Sequence, residues 1–119
     1  MRGVNFISEK LEDILSIIKA IANEKRLEVL NFLVMGEQSF DALKKKTRLQ
    51  KTALANHLNK LIESALIEKP IHGIYKITSD GQLFLTVIEK AYKQSNFLRK
   101  KQLSGQFSKV FVKSFFGSA

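Results

Sequence analysis

The sequence predicts a mainly α-helical fold with a small β-hairpin, in the order α-α-α-α-β-β-α, followed by a helical C-terminal segment. Three observations predict it. Apolar residues recur at intervals of three and four through most of the first half of the chain, which is the period of a helix. The period shortens around the single proline, Pro70, and helical spacing returns after it. At 119 residues and 45% hydrophobic content, the chain is about one domain long.

The first two helices are predicted from their caps and their apolar positions. Ser8 is placed to cap the first helix, because a serine side chain accepts a hydrogen bond from an unpaired amide of the first turn. Asn23 is placed to cap the second, and Gly36 to end it in a left-handed conformation. This helix is apolar nearly all round near its end, which favours a central, buried position. The apolar residues of the first helix are Leu11, Ile14, Leu15, Ile18 and Ile21.

Two short helices follow, separated by only a few residues. Ser39 is placed to cap the first of them, which is expected to end near Thr47. The second is expected to cover about residues 51–64. Two short helices joined by a short turn form a helix-turn-helix. The residues predicted to point inward from the second are Leu54, Leu58, Leu61 and Ile62.

A hairpin and a closing helix come next. Two short β-prone runs flank the sequence Pro-Ile-His-Gly, which fits a tight turn with Gly73 at positive φ. Pro70 has no amide proton, so it is expected at the loop end of an edge strand. Thr78 or Ser79 then caps the closing helix, and Gln82 is placed to complete a capping box with Ser79.

The positive charge is unevenly distributed along the chain. The formal net charge is +9, yet residues 1–89 hold 13 basic and 11 acidic side chains, whereas residues 90–119 hold seven basic and no acidic ones. Six basic residues and no acidic one lie between Lys44 and Lys60. Such a field favours a polyanion, either nucleic acid or an anionic membrane surface.

Several classes of function have no support in the sequence. The chain has no cysteine and only two histidines, which excludes disulfides and thiolate metal sites, and a multi-histidine metal site would need a second subunit or several carboxylates. Neither paired carboxylates, a nucleophile with a base, nor a phosphate-binding glycine loop stands out. No apolar run approaches the ~20 residues of a membrane span, and the N-terminus lacks a signal-peptide pattern. We expect a cytoplasmic protein without enzymatic activity, cofactor or metal.

Three spaced motifs occupy this order of elements, which is that of a winged helix-turn-helix. Ala-x-x-x-Arg-Leu opens the second helix, His-Leu-x-x-Leu lies in the fourth, and Tyr-x-Ile-Thr-x-x-Gly follows the hairpin. With these motifs the chain resembles the ArsR-type transcriptional regulators over about residues 10–92, and MarR-type relatives are similar in the third motif. The residues that carry the resemblance are Ala22, Arg26, Leu27, His57, Leu58, Leu61, Tyr75, Thr78 and Gly81.

The resemblance implies a homodimeric DNA-binding regulator, more specifically a repressor, with the first and last helices at the dimer interface. The chain departs from the family at three places. The Cys-x-Cys box of metal-sensing members is replaced by Ser-Phe-Asp-Ala-Leu-Lys-Lys, and the closing helix lacks their Asp/His ligand pattern, so a metal response is not carried over. Ala55-Asn56 replaces the usual Ser-Arg pair, so the target sequence is not carried over either. An unidentified small-molecule or protein effector stays open. The predicted interface residues are Leu11, Ile14, Leu15, Ile18, Phe84, Ile88 and Tyr92.

The candidate DNA site consists of the two short helices and the hairpin. In a helix-turn-helix the second helix enters the major groove, where amides pair with adenine and cations with guanine. The predicted base-reading residues are Gln50, Lys51, Thr52, Ala55, Asn56 and Asn59. The predicted phosphate-binding residues are Lys44, Lys45, Lys46, Arg48 and Lys60, and those of the wing are Lys69, His72 and Lys76. A solvated face of an ordinary helical bundle, with His57 as a packed ring and His72 as a turn residue, is the alternative.

Residues 96–119 are predicted to form a basic, phenylalanine-rich extension to a DNA-binding domain at residues 1–95. Phe107, Val110, Phe111 and Phe115 fit one helical face, although the same segment also fits an alternating strand. A basic amphipathic segment of this kind can lie at a membrane surface or bind another protein. This interaction module is the main alternative to the DNA-binding reading.

Overall fold

In the computed structural model, the described part of the chain covers residues 2–104, with side chains described from Phe6 onward. The chain divides into two compact units, one that ends at Leu83 and one that begins at Phe84. The predicted fold class is confirmed, because the chain is mainly helical with one small antiparallel sheet. The elements of the described residues are α1 (Arg2–Glu9), α2 (Leu11–Ile21), α3 (Glu24–Val34), β1 (Gln38–Ser39), α4 (Phe40–Thr47), α5 (Lys51–Glu63), β2 (Ile67–Ile71), β3 (Ile74–Ile77) and α6 (Ser79–Lys93), and residues 96–104 are also helical.

Helix α3 lies at the centre of the first unit, where it contacts α2, α4, α5 and β3. Its inward residues are Val29, Leu30 and Leu33, each no more than 1% exposed. The predicted central position is therefore confirmed, although Val34 at the end of the helix is exposed. The other large apolar side chains of this core that are no more than 2% exposed are Leu43, Leu54, Leu58, Leu61, Leu66 and Ile67.

Two of the three predicted caps in the helical half are confirmed. The side chain of Asn23 accepts a hydrogen bond from the amide of Arg26, and that of Ser39 accepts one from the amide of Ala42. The predicted cap at Ser8 is wrong, since Ser8 lies inside α1 and the next helix begins only after Lys10, without a side-chain cap. The reason is that residues 2–9 already form a helix, which was not predicted from the sequence.

The sheet has three strands in the order β1-β3-β2, so the predicted two-stranded hairpin is incomplete. Gln38 pairs with Tyr75 in an antiparallel register, and the amide of Phe40 donates to the carbonyl of Gly73 at 2.9 Å. A strand of two residues is too short to show an alternating pattern, so the sequence does not predict it. Two predictions for the hairpin are confirmed: Gly73 has a φ of +80°, and Pro70 lies in the edge strand β2.

The first turn of α6 is fixed by Thr78. Its hydroxyl donates to the carbonyl of Ala65 at 2.7 Å and accepts from the amide of Gly81 at 3.0 Å. Of the two predicted caps, Thr78 is thus correct. The predicted capping box between Gln82 and Ser79 is wrong, because the Gln82 amide donates to the carbonyl of Thr78. A capping box would make Ser79 the N-cap and begin the helix at Asp80, but the helix already begins at Ser79, so Thr78 is the cap instead.

In the second unit, α6 continues to Lys93 and a short break precedes the helical residues 96–104. The hydroxyl of Ser95 accepts from the amide of Leu98 and so caps the second helical run. The rings of Tyr92 and Phe97 lie 6.3 Å apart. The predicted helical face of Phe107, Val110, Phe111 and Phe115 lies outside the described residues.

We expect Gly81→Ala to destabilise the first unit by about 2–3 kcal/mol. A Cβ atom at this position would lie 2.2 Å from the carbonyl oxygen of Leu66 and 2.7 Å from Cγ1 of Ile77, so the strand or the helix must shift. Urea unfolding followed by circular dichroism measures the change. Gln82→Ala, on the exposed side of the same turn, is the matched control and should change the free energy of unfolding by less than about 0.5 kcal/mol. Equal effects of the two substitutions would contradict this packing.

Candidate nucleic-acid interface

The turn between α4 and α5 is held by hydrogen bonds on both sides of Arg48. The buried hydroxyl of Thr47 donates to the carbonyl of Leu43 at 2.7 Å and accepts from the amide of Leu49 at 3.4 Å. The Lys25 ammonium, from α3, donates to the carbonyl of Thr47 at 2.9 Å. Arg48 itself has a φ of +61°, in the left-handed region that a residue with a Cβ atom rarely adopts. These bonds set the direction in which α5 leaves the turn.

Helix α5 has one buried face and one open face. Leu54, Leu58 and Leu61 are no more than 1% exposed, as predicted. The prediction for Ile62 is wrong, since its side chain is 37% exposed, at the edge of the buried stripe. Of the predicted base-reading residues, Gln50, Lys51, Thr52, Asn56 and Asn59 are exposed and Ala55 is half-buried.

Three of the predicted phosphate-binding residues lie together. Lys44, Lys45 and Arg48 line an open concavity of about 330 Å³ at the start of α5. Asp41, Leu49 and Gln50 complete its wall. Three cations against one carboxylate leave this concavity positively charged, directly beside the exposed face of α5.

Two other predicted phosphate-binding residues lie elsewhere. Lys46 donates to the side-chain oxygen of Gln38 at 2.8 Å, and its ammonium lies 5.6 Å from the ring centroid of Phe32. Lys60 lines a different concavity, which it shares with Lys19 of α2. Spacing along the chain grouped these lysines with Lys44, but the helical rotation of one residue directs Lys46 towards β1 instead.

The three predicted wing residues, Lys69, His72 and Lys76, are all exposed. The ammonium of Lys69 also lies 5.7 Å from the ring centroid of Tyr75. Ile71, which is not among the predicted wing residues, is 66% exposed at the end of β2. Its apolar side chain beside Pro70 was the signal that could have identified it.

Arg26 connects three helices. Its Nε donates to the carbonyl of Ala20 and its Nη2 to that of Lys19 at 3.1 Å, so it binds the end of α2. Its Nη1 lies 3.1 Å from Nδ1 of His57, in the middle of α5. Since a guanidinium can only donate, Nδ1 must accept, and the ring proton of His57 is then on Nε2. Arg26 and His57 each stand in a motif that carried the family resemblance, but nothing in the sequence indicated that they meet.

The His57 ring is half-buried. Burial of the ring and the adjacent Arg26 guanidinium both hold the pKa of His57 below its usual value of 6.5. A protonated ring would lose its acceptor nitrogen and would face the guanidinium as a like charge. The contact therefore belongs to the neutral form of His57.

The predicted dimer-interface residues lie on helices with exposed apolar faces. On α2, Leu11, Leu15 and Ile18 are exposed by 53%, 41% and 54%, and Ile14 is half-buried. On α6, Ile88 and Tyr92 are exposed and Phe84 is half-buried. Further exposed apolar side chains on α1 and α6 are Phe6, Ile7, Leu83 and Val87.

No helix among residues 2–104 is both long enough and apolar enough to cross a membrane. Over the same residues, no three histidine, aspartate or glutamate side chains come together in a group that could hold a metal ion.

No family model matches the sequence, and no curated protein matches it. Solved structures do match. NolR from Sinorhizobium fredii is 30% identical, with 74% of this chain and 92% of that chain covered and a TM-score of 0.63. NolR is a winged helix transcriptional regulator of the ArsR/SmtB family. The chain belongs to the ArsR family.

Two further solved structures are similar to this ArsR-family chain. One is the homodimeric winged helix-turn-helix DNA-binding domain of Mb0332 from Mycobacterium bovis, 26% identical, with 76% of this chain and 89% of that chain covered and a TM-score of 0.64. The other is reduced HlyU from Vibrio cholerae, 25% identical, with 74% of this chain and 97% of that chain covered and a TM-score of 0.60. These ArsR-family proteins are transcription regulators and not enzymes.

We expect the stability of this ArsR-family chain to fall as the pH is lowered through and below 6.5, the usual pKa of histidine. Because the pKa of His57 is lower in the folded chain than in the unfolded one, the unfolded chain binds more protons in this range, and the stabilisation present above pH 6.5 is lost as the pH falls through the folded pKa. Urea midpoints between about pH 7.5 and about pH 5.5, above the range of most carboxylates, measure it.

The two histidines provide a matched pair for this measurement. His57→Gln should remove most of the fall in midpoint, whereas His72→Gln, at the exposed wing tip, should leave it in place. A fall that persists unchanged in His57→Gln would show that the pH dependence comes from other groups.

Proposed function

We propose that the protein binds double-stranded DNA in a sequence-specific manner, with α5 as a recognition helix in the major groove. The observation that carries this proposal is the division of α5 into a leucine face buried in the core and an open face of amide, hydroxyl and cationic side chains. Amides and lysines match the donor and acceptor pattern of base edges. The base-reading residues proposed are Gln50, Lys51, Thr52, Ala55, Asn56 and Asn59.

The cationic concavity beside α5 supports a separate role in phosphate binding. Lys44, Lys45 and Arg48 lie together there, so they are suited to neutralise backbone phosphates at the start of the recognition helix. Lys46 would have to give up its bond to Gln38 to take part. At the wing, Lys69, His72 and Lys76 are all exposed, and the Lys69 ammonium also lies 5.7 Å from the Tyr75 ring centroid.

The protein is proposed to act as a homodimer. Exposed apolar side chains on α2 and on α6 give each helix a face suited to a partner subunit. The structure of Mb0332 is of a homodimeric domain of the same fold. A two-fold dimer of helix-turn-helix units places its recognition helices about 34 Å apart, one turn of DNA. By family resemblance, the regulator acts as a repressor, in the cytoplasm.

One observation favours the alternative function, in which the C-terminal segment binds a membrane surface or another protein. Among the helical residues 96–104, Phe97 and Leu103 are 61% and 68% exposed beside three basic residues. A basic segment with exposed apolar side chains suits a membrane surface or another protein. Removal of residues 96–119 separates the two proposals, since duplex binding by α5 does not require them.

We expect Lys51→Ala and Asn56→Ala to change which duplexes are preferred. Both side chains are exposed on the open face of α5, and loss of a bidentate base contact costs roughly 1–3 kcal/mol in discrimination. Selection from random duplex DNA identifies the preferred sequence, and fluorescence anisotropy against matched and mismatched duplexes then measures the change.

Lys45→Ala is the matched comparison within the same interface. It should weaken all duplexes alike and reduce the slope of log affinity against log salt by about 0.9, because one phosphate contact is lost. If Lys51→Ala and Asn56→Ala leave both affinity and preference unchanged, the assignment of α5 as the recognition helix is wrong.

We expect the protein to sediment as a dimer, and Ile18→Glu to raise the dimer dissociation constant by about tenfold or more. Burial of one isoleucine side chain contributes roughly 1.5–3 kcal/mol, which a charged side chain would forfeit. Because Ile18 is 54% exposed in the single chain, the substitution should not disturb the fold. Met35→Glu, at a side chain that is 85% exposed beyond α3, is the control and should leave the dimer intact. A wild-type chain that stays monomeric at high concentration would remove the dimer proposal.

A further inference from the structure

A second concavity lies between helices α2, α3 and α5, away from the start of the recognition helix. Its volume is about 220 Å³, roughly that of seven water molecules in the liquid. Its only buried wall residue is Ala20. The other residues that line it are Ser16, Lys19, Arg26, Lys60, Glu63 and Ser64.

The charges of this concavity are unbalanced. Lys19, Arg26 and Lys60 come from three different helices, and the carboxylate of Glu63 is the one acidic group in the wall. Neither lysine forms an ion pair within residues 6–104. Three cations against one anion leave a local charge of about +2, in a space that side chains of the described residues do not fill.

Arg26 still has hydrogen-bond donors to offer in this wall. A guanidinium carries five N–H groups. Three of them serve the carbonyls of Lys19 and Ala20 and the ring of His57. Two N–H groups are left, one on each terminal nitrogen. The guanidinium is thus held rigidly by the protein while part of it stays free to bind an acceptor.

We propose that this concavity binds a small molecule through a phosphate group. A phosphate monoester carries a charge of about −1.5 to −2 at neutral pH and presents three acceptor oxygens, which matches the local charge and the donors of Arg26, Lys19 and Lys60. The Ser16 hydroxyl adds a further donor, whereas the Ser64 hydroxyl already donates to the carbonyl of Lys60. The volume leaves room for a small organic group beside the phosphate.

The position of the concavity links it to the recognition helix. Lys60 belongs to α5, and Arg26 touches His57 in the middle of the same helix, so a bound phosphate compound contacts the helix directly and through Arg26. An effect of the ligand on DNA affinity rests on the proposed function. Binding of the ligand to the free protein does not, and the two are measured separately.

The site is tested by titrating the full chain with inorganic phosphate and following the backbone amide chemical shifts by NMR. Phosphate replaces chloride so that the ionic strength stays constant. We expect saturable shifts at Lys19, Lys60 and Ser64. Lys19→Gln and Lys60→Gln should each weaken phosphate binding by about two- to fivefold, as expected for loss of one partly exposed charge contact. Glu63→Gln should strengthen it, because the repelling carboxylate is removed.

Lys90→Gln is the control, since Lys90 is an exposed lysine of α6 outside both concavities. If phosphate shifts fail to saturate, or if Lys90→Gln weakens binding as much as Lys19→Gln, the site is overturned. The same variants are then titrated with duplex DNA. A Lys19→Gln chain that keeps full phosphate affinity but shows a flatter salt slope for DNA would also overturn the proposal, because the cations would then serve the DNA backbone. Failure of DNA binding in the wild-type chain would overturn only the proposed function.

Discussion

The guanidinium of Arg26 is the contact on which the arrangement of the first unit depends. Helices α2 and α5 are far apart in sequence, and the loop after α2 is only two residues long. Arg26 binds the last carbonyls of α2 and the His57 ring of α5 from the first turn of α3. Buried or half-buried carbonyls at a helix end require a donor. A lysine could not replace this residue, since its single ammonium lacks the planar fork that reaches three acceptors in different directions.

The second constraint is the way helix α4 separates cations that are neighbours in sequence. Lys44, Lys45 and Lys46 are consecutive, yet two line the concavity beside α5 and the third is held by Gln38 and the ring of Phe32. The cause is the rotation of about 100° per residue along a helix. Local charge therefore overstates the number of cations available to one partner. Lys46 instead helps to fix α4 against β1, which orients its two neighbours.

The sequence was informative where a structure is decided by a few adjacent residues. Asn23 and Ser39 cap their helices, and Gly73 takes the positive φ of its turn, because these are short-range effects of side-chain oxygens and of a missing Cβ. The prediction of a cap at Ser8 was wrong because a serine is also tolerated inside a helix when the preceding residues are already helical. The two-residue strand β1 has no sequence pattern of its own, and its pairing depends on partner residues, Tyr75 and Ile74, that lie far along the chain.

The site residues likewise divide into those that local spacing predicts and those that depend on contacts between distant parts of the chain. The open face of α5 was predicted because helical spacing alone places Asn56 and Asn59 opposite Leu54 and Leu58. The contact between Arg26 and His57 was not predicted, because it joins residues on two helices whose relative position is set by packing of the whole core. The concavity of Lys19 and Lys60 was missed for the same reason.

The short strand β1 has a mechanical consequence. It joins the turn after α3 to the wing strand β3, and the Phe40 amide at the start of α4 bonds the carbonyl of Gly73 in the hairpin turn. The hairpin is thus braced against the helix that precedes α5 and has little freedom to swing on its own. The distance between α5 and the hairpin is therefore fixed. If α5 and the wing engage one duplex as proposed, the DNA must deform to match that distance. Easily bent base steps would then be favoured at positions that no side chain touches.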